Sequence, residues 1–348
     1  MSLDNVLLVG GSGFLGLHLI EQFSRHCPDT KLTVFDVRPL PEKLSKYFTF
    51  DPSKVGFFKG DLTSEKDVAD AIKQSKCDVI VHSASPMHGL AQEIYEKVNV
   101  QGTQVLLKVA KELHVKAMVY TSSAGVIFNG QEVYNADESW PYPAVHMDGY
   151  NETKATAEQT VMKANSDEFK TVCLRPAGIF GPGDRQLVPG MRAVARNGQA
   201  KYQLGDNNNL FDWTYVGNVA DAHVLAAQKI LGADASKIGG ETFFITNDAP
   251  TYFWTLSRTV WKNDGYICKS NIKLNRPLAM VLGYVSEFVC KVLGREPGIT
   301  PFRVKVVCAN RYHDITKAKT LLGYKPAVDL ETGIKYTLDW MDETAESK

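Results

Sequence analysis

A chain of 348 residues has room for about two domain-sized units sharing a large core. Its 39 basic side chains are matched by 39 acidic ones. With no excess of positive charge, nucleic acid is not an expected partner.

Close to the N-terminus Val6, Leu7, Leu8 and Val9 form an unbroken apolar run, as in a strand buried on both faces of a parallel sheet. Asp4 and so short an apolar run fit neither a signal peptide nor a stop-transfer anchor. Glycines then recur as Gly10-x-x-Gly13-x-x-Gly16, and Leu15, Leu19 and Phe23 follow at helical spacing. The pattern predicts strand, tight turn and helix. The free N–H groups and positive dipole end of such a helix start suit a pyrophosphate. A Cβ at the glycines would hold the phosphate off the backbone, or the helix off the strand. Gly10, Gly13, Phe14, Leu15 and Gly16 are therefore candidate dinucleotide contacts, against the plainer reading of a glycine turn without a ligand.

Lys31–Asp36 reads as a second strand ending on an acid 20 residues past Gly16. A carboxylate there would hydrogen-bond the adenosine ribose and repel a 2′-phosphate, which favours NAD. Arg38 is placed to accept that phosphate and keeps NADP open. Residues 55–58 form a third strand. Ser64 and Asp67 then resemble a capping box for a helix that buries Val68 and Ile72. Asp61 and Leu62 would lie at the sheet's carboxyl edge near an adenine. Residues 79–84 form a fourth strand whose small Ser83 and Ala84 would let a cofactor approach the backbone. A long helix follows with Ile94, Val98, Val105, Val109 and Leu113 on its apolar face. Asn99 and Gly102 interrupt it. Glycine costs about 1 kcal/mol there against alanine, so close packing is the expected reason. The stripe suits plain core, and would also serve a homodimer. Residues 117–120 are a fifth strand, with Thr121-Ser122-Ser123-Ala124 at its carboxyl end. The alternation predicts an α/β doubly wound parallel sheet of Rossmann type, with ligand along the strand ends.

Tyr150 and Lys154 share one face of a helix that opens after the turn-rich segment around Pro141 and Pro143. A phenol of ordinary pKa ~10 is a poor base near neutrality. A cation beside it would favour the phenolate and make the pair a usable acid/base. Ser123 is placed to donate to a substrate oxygen and hold it against Tyr150, with Ser122 the alternative. The eight histidines are scattered and no paired-ligand motif occurs, so no metal is expected. The six cysteines stand at long irregular spacings, which fits reduced thiols facing the cytosol better than a disulfide framework.

The glycine turn, Asp36, Gly60-Asp61-Leu62, Asn99-Val100-Gln101-Gly102-Thr103, Thr121-Ser122-Ser123-Ala124, Tyr150-x-x-x-Lys154 and Leu174-Arg175-Pro176 together resemble an extended short-chain dehydrogenase/reductase across nearly the whole chain. The resemblance implies Tyr150 as acid/base, Lys154 as its partner and a nicotinamide-ribose contact, Ser123 as the substrate-orienting hydroxyl, and Pro176 beside the nicotinamide. It extends Asn99 to the site as well. Within that superfamily the chain is most similar to 3β-hydroxysteroid dehydrogenases, in the branch acting on 4α-carboxysterols. Ser83-Ala84-Ser85-Pro86-Met87-His88-Gly89 and the run from Arg175 through Gly183-Asp184-Arg185 carry that narrower match. It implies NAD-dependent oxidation of a sterol 3β-hydroxyl to the ketone. The 4-carboxylate is then a β-keto acid and is lost as carbon dioxide, with no metal or separate decarboxylating cofactor. Arg185 is a candidate partner for that carboxylate, although a surface loop arginine is the simpler reading. A complex with other sterol C4-demethylation enzymes and peripheral attachment to the cytosolic face of the endoplasmic reticulum membrane are implied too. The alternatives are a 3β-hydroxysteroid dehydrogenase/isomerase, a nucleotide-sugar epimerase, and a redox sensor that binds NAD without catalysis.

Past Pro176 the strand–helix rhythm loosens. Residues 1–180 with 211–247 are expected to form the NAD-binding domain, and 181–210 with 248–348 a smaller substrate-binding region. Residues 277–293 are apolar nearly all round but include Glu287 and Lys291. Charges at that depth argue against a spanning helix. A helix in the membrane interface and a buried core helix are the two readings.

Overall fold

The run 6–9 sits at the centre of a seven-stranded sheet. The computed structural model describes residues 3–267, 271–295 and 297–346. The strands are β1 (Asn5–Val9), β2 (Lys31–Asp36), β3 (Gly56–Lys59), β4 (Val79–His82), β5 (Ala117–Thr121), β6 (Lys170–Pro176) and β7 (Glu241–Ile245). They lie in the order β7-β6-β5-β4-β1-β2-β3, every neighbour parallel. The chain winds outward both ways from β1, so the switch point falls between β1 and β4, where this architecture leaves a crevice at the carboxyl ends.

Alternate residues of the same strands feed two cores, as the two-residue period of a strand demands. Val6, Leu8, Val79, Val81, Val119 and Leu174 face the helices Phe14–His26 and Val216–Ile230. Leu7, Val9, Ile80, Met118 and Cys173 face the other layer, where Glu65–Ser75, Thr103–Glu112 and Gly149–Lys163 pack. The doubly wound sheet expected from the sequence is thus present. Residues 212–231 and 241–246 return to it as a helix and an edge strand.

Local details follow from the side chains. β4 stops at His82, two residues short of the expected end. Ser83 N–H still donates to Val9 O at 2.9 Å. Ser64 caps its helix by accepting from Asp67 N–H at 3.2 Å, but the Asp67 carboxylate turns to Asp61 N–H at 2.9 Å, so the box is only half closed. The long helix widens into a π-helical stretch at Glu96–Gly102. A Cβ on Gly102 would come within 2.9 Å of the Leu62 side chain, which is the close packing its glycine predicted.

Beyond the main sheet, Thr251–Tyr252, Leu210–Phe211, Arg311–His313 and Val133–Ala136 form a small four-stranded sheet. The helix Arg276–Leu293 is capped by Asn275, which accepts from Leu278 N–H, and ends at Gly294 with φ +62°. Only Ala279 and Gly283 on it are buried, while Phe288 and Val292 are each 71% exposed. The core-helix reading of 277–293 is therefore wrong. Gly283 lets the helix press on Pro301, and the broad apolar remainder faces outward. No helix among the described residues is long and apolar enough to cross a membrane. Cys27, Cys77, Cys173, Cys290 and Cys308 are free thiols, and Cys268 lies outside the described residues.

Candidate active site

A cleft of about 970 Å³ runs along the carboxyl ends of the sheet. At one end is the glycine turn. Gly10 adopts φ +85°, and a Cβ on it would stand 2.6 Å from Ala84 N. A Cβ on Gly16 would collide with the carbonyl of Gly10, so the helix lies directly on the turn. The helix Phe14–His26 starts at Gly13 without any side-chain cap, which leaves its first N–H groups for an external acceptor. Gly11, overlooked in the sequence, is needed as well, because its Cβ would meet Val34 Cγ2 at 2.6 Å. The Asp36 carboxylate accepts from Ser12 N–H and Arg38 N–H, both at 3.1 Å, and so fixes the turn while lining the cleft. Asp61 and Leu62 line the same end. A cradle that any Cβ would fill, an uncapped helix start and a strand-end carboxylate fit a dinucleotide.

Farther along, Asp148 accepts from Asn151 N–H at 2.8 Å and starts the helix that carries Tyr150. The Tyr150 hydroxyl faces the Ser85 and Ser123 hydroxyls, which stand just beyond the ends of β4 and β5. Ser123 also accepts from Gly125 N–H at 3.0 Å. Behind them, Asn99 donates to Thr153 Oγ1 at 3.1 Å and accepts from Ser85 at 2.9 Å. Asn99 thus stands one layer behind the cleft wall and holds Ser85 toward the phenol. Ser85 and Thr153 were missed as site residues: each lies within a stretch singled out from the sequence, but the contacts through Asn99 that bring them together are tertiary. His88 packs against the Tyr150 ring, tilted, at 3.8 Å between centroids, and Tyr95 meets it edge-on at 5.8 Å. Ser83, Ala84 and Pro176 complete the wall, and Ser122 lines it with a hydroxyl that has no hydrogen-bond partner.

Lys154 departs from expectation. Its ammonium is buried, donates to the Thr121 carbonyl at 2.5 Å and lies 4.3 Å above the Tyr120 ring. Burial lowers its pKa to about 7, against the pull of Glu158. Glu158 is already engaged, accepting from Arg175 at 2.7–3.1 Å and from the Tyr142 hydroxyl. His82 and His223 beside the ammonium are kept neutral, by burial first and by the Lys154 charge second. The Tyr150 phenol is pushed up to about 12 by burial, with Asp148 adding, although the serine hydrogen bonds oppose the rise. The protein by itself therefore does not hold Tyr150 as a phenolate. The i, i+4 spacing does put both residues on one helix, but the ammonium is spent on a carbonyl at the end of β5.

Much of the remaining wall is apolar. Phe128, Val133, Phe211, Trp213, Phe253 and Phe302 face the cleft from the small sheet and its neighbours. One continuous space thus joins a nucleotide cradle, a phenol beside two serines, and a hydrocarbon-like compartment.

Residues 7–276 match the 3-beta hydroxysteroid dehydrogenase/isomerase family. A Candida albicans protein named sterol-4-alpha-carboxylate 3-dehydrogenase, decarboxylating, is 80% identical over 345 residues, covering 98% of this chain and 99% of that protein. Its Saccharomyces cerevisiae namesake is 64% identical over 344 residues with the same coverage. The Homo sapiens protein of that name is 37% identical over 337 residues, 95% of this chain and 86% of its own. Among solved structures, the UDP-glucose 4-epimerase of Thermotoga maritima superposes with a TM-score of 0.73 at 21% identity, over 98% of this chain and 99% of that one. At that identity the likeness speaks for the shared fold.

Proposed function

The chain belongs to the 3-beta hydroxysteroid dehydrogenase/isomerase family, and from that premise we propose that it oxidises the 3β-hydroxyl of a 4α-carboxysterol with NAD, leading to loss of the 4-carboxylate as carbon dioxide. The observation that carries this is whole-length identity to proteins named for that reaction. The arrangement of Ser85, Ser123 and Tyr150 between the glycine cradle and an apolar compartment supports it.

NAD, held by the Gly10–Gly16 cradle and Asp36, would supply an acceptor for the C3 hydride and, in its oxidised form, a positive charge. That charge favours the phenolate, which the protein alone does not stabilise. Tyr150 then takes the proton of the 3β-hydroxyl, while Ser123 holds the oxygen and Ser85, steadied by Asn99, holds the phenol. The product is a 3-ketone with a carboxylate on the adjacent carbon. The bond from C4 to the carboxylate breaks, and its electron pair spreads onto the ketone oxygen as an enolate. The proton on Tyr150 is available to that enolate, so one hydride leaves, one carbon dioxide leaves and no proton is left over. Asp36 faces the ribose end and supports NAD over NADP.

The test is to supply NAD and a 4α-carboxysterol and follow NADH and carbon dioxide together. Equal amounts are expected. NADH without carbon dioxide would point instead to the dehydrogenase/isomerase chemistry. Absence of both would overturn the reading.

We also propose that the helix Arg276–Leu293 rests in a membrane interface, on the cytosolic side of the endoplasmic reticulum. Val281, Val285, Phe288 and Val292 are exposed, and the exposed Lys291 and Arg295 stand among or beside them for anionic headgroups. Phe302, exposed on the helix against which this one packs, also lines the cleft, which links that face to the sterol compartment. Phe288→Asp with Val292→Asp should abolish flotation with anionic liposomes while leaving the melting temperature in place. Unchanged flotation would refute it.

A further inference from the structure

We propose that Arg311 binds the carboxylate that the sterol carries next to its 3-hydroxyl, and so sets the preference for the acid over its neutral counterpart. The inference deepens the function proposed above and rests on it.

Arg311 lies on the strand Arg311–His313, paired with Phe211 on one side and Val133 on the other. Its side chain passes between two rings, with the guanidinium carbon 4.5 Å from the centroids of both Phe128 and Phe211. Nη2 donates to the Val306 carbonyl at 3.3 Å. Nε is buried and has no hydrogen-bond partner. A guanidinium in such a place needs an anion, because a buried charge is costly unless paired.

The two fully buried arginines have theirs, whereas Arg311, half-buried, opens on the cleft. Arg175 is bound to Glu158, and Arg192 to Asp264 and Asp342. No carboxylate among the described residues pairs with Arg311. The neighbouring acid, Asp212, accepts from His313 N–H at 2.9 Å and contacts His313 Nδ1 at 3.0 Å. Burial lowers the guanidinium's pKa only to about 9, so it remains charged at neutral pH.

The position suits the substrate. His88 packs against the Tyr150 ring at 3.8 Å between centroids, and His88, Tyr150 and Arg311 all line the one cleft. A hydroxyl and a carboxylate on adjacent carbons require a proton acceptor and a cation converging on one end of a hydrocarbon. Tyr150 and Arg311 line the same cleft with apolar walls around them. A planar guanidinium presents parallel N–H groups to a carboxylate, which an ammonium cannot. The two other cations on the cleft, Arg38 and Arg185, are solvent-exposed, and Arg38 sits beside Asp36 at the ribose end. Departure of carbon dioxide removes the anion and leaves Arg311 unpaired again, so the neutral ketone is held less tightly than the acid and is free to leave.

The experiment compares kcat/KM for a 4α-carboxysterol with that for the 4α-methyl-3β-hydroxysterol, both read as NADH formation. Wild type should prefer the acid, by roughly 100-fold for a buried charge pair. Arg311→Gln should collapse that ratio, mainly through KM for the acid, Arg311→Lys should restore part of it, and Arg185→Gln should leave it in place. A wild-type enzyme that oxidises both sterols without preference overturns the proposal even if neither Arg311 variant folds. So does a ratio that survives Arg311→Gln or collapses in Arg185→Gln. Wild type that oxidises neither sterol removes the functional reading, and this proposal with it.

Discussion

Replacing Lys154 by methionine should make the protein more stable at pH 7 and less so, relative to wild type, at higher pH. The ammonium is buried, and its pKa falls from 10.5 to about 7. Between those values the unfolded chain binds a proton that the folded chain does not. Wild-type stability therefore rises with pH across that window, and the penalty is greatest at and below pH 7. At pH 7 the penalty is about 4 kcal/mol, at 1.36 kcal/mol per tenfold. Methionine removes it but leaves the Thr121 carbonyl without its 2.5 Å donor, a loss of about 1–3 kcal/mol. The net gain is roughly 1–3 kcal/mol, or about 1–4 °C in melting temperature. At pH 9.5 the penalty has shrunk to about 1 kcal/mol by the same relation, and the advantage should vanish or reverse. Calorimetric melts of both proteins at the two pH values decide the matter. A variant that melts no higher than wild type at pH 7, or whose difference ignores pH, would refute the buried-ammonium argument.

Three other outcomes follow from the site. Tyr150→Phe should lower kcat by about 10²–10⁴-fold, the usual yield of general acid–base catalysis, while NAD titration followed by protein fluorescence stays unchanged. The activity of wild type should rise with pH as the phenol ionises, because the base must be deprotonated to accept the hydroxyl proton. Its apparent pKa in kcat should fall below the value of about 12 that burial imposes in the absence of cofactor, and a midpoint that stays near 12 would mean that bound NAD does not favour the phenolate. Gly16→Ala drives a methyl into the Gly10 carbonyl and should weaken NAD binding by roughly tenfold or more, about 1.4 kcal/mol. Isothermal titration with NAD measures it.

The parts of this molecule that read clearly from sequence are those where one backbone requirement allows few residue types. The cradle is of that kind, since Gly10 and Gly16 stand where a Cβ would strike backbone atoms. The apolar runs of β1, β4 and β5 are another case, because strands covered on both faces leave no polar alternation. Tyr150 and Lys154 were legible as a pair, but their electrostatics were not. Helical spacing says that two side chains share a face; it does not say that a carbonyl at the end of β5 captures one of them. Arg311 gave no signal, and His88 showed only as one residue of the stretch 83–89, because what matters about each is a tertiary neighbour, namely the Phe128 and Phe211 rings and the Tyr150 ring. The helix Arg276–Leu293 was ambiguous for a related reason. Its composition suits a core as well as a surface, and only the close approach of Gly283 to Pro301 shows which side is packed.

The most direct test follows the hydrogen itself. With a 4α-carboxysterol bearing deuterium at C3, the deuterium should appear in NADH in a one-to-one ratio with the carbon dioxide released. Carbon dioxide evolved without deuterated NADH would contradict oxidation at C3 as the step that enables decarboxylation.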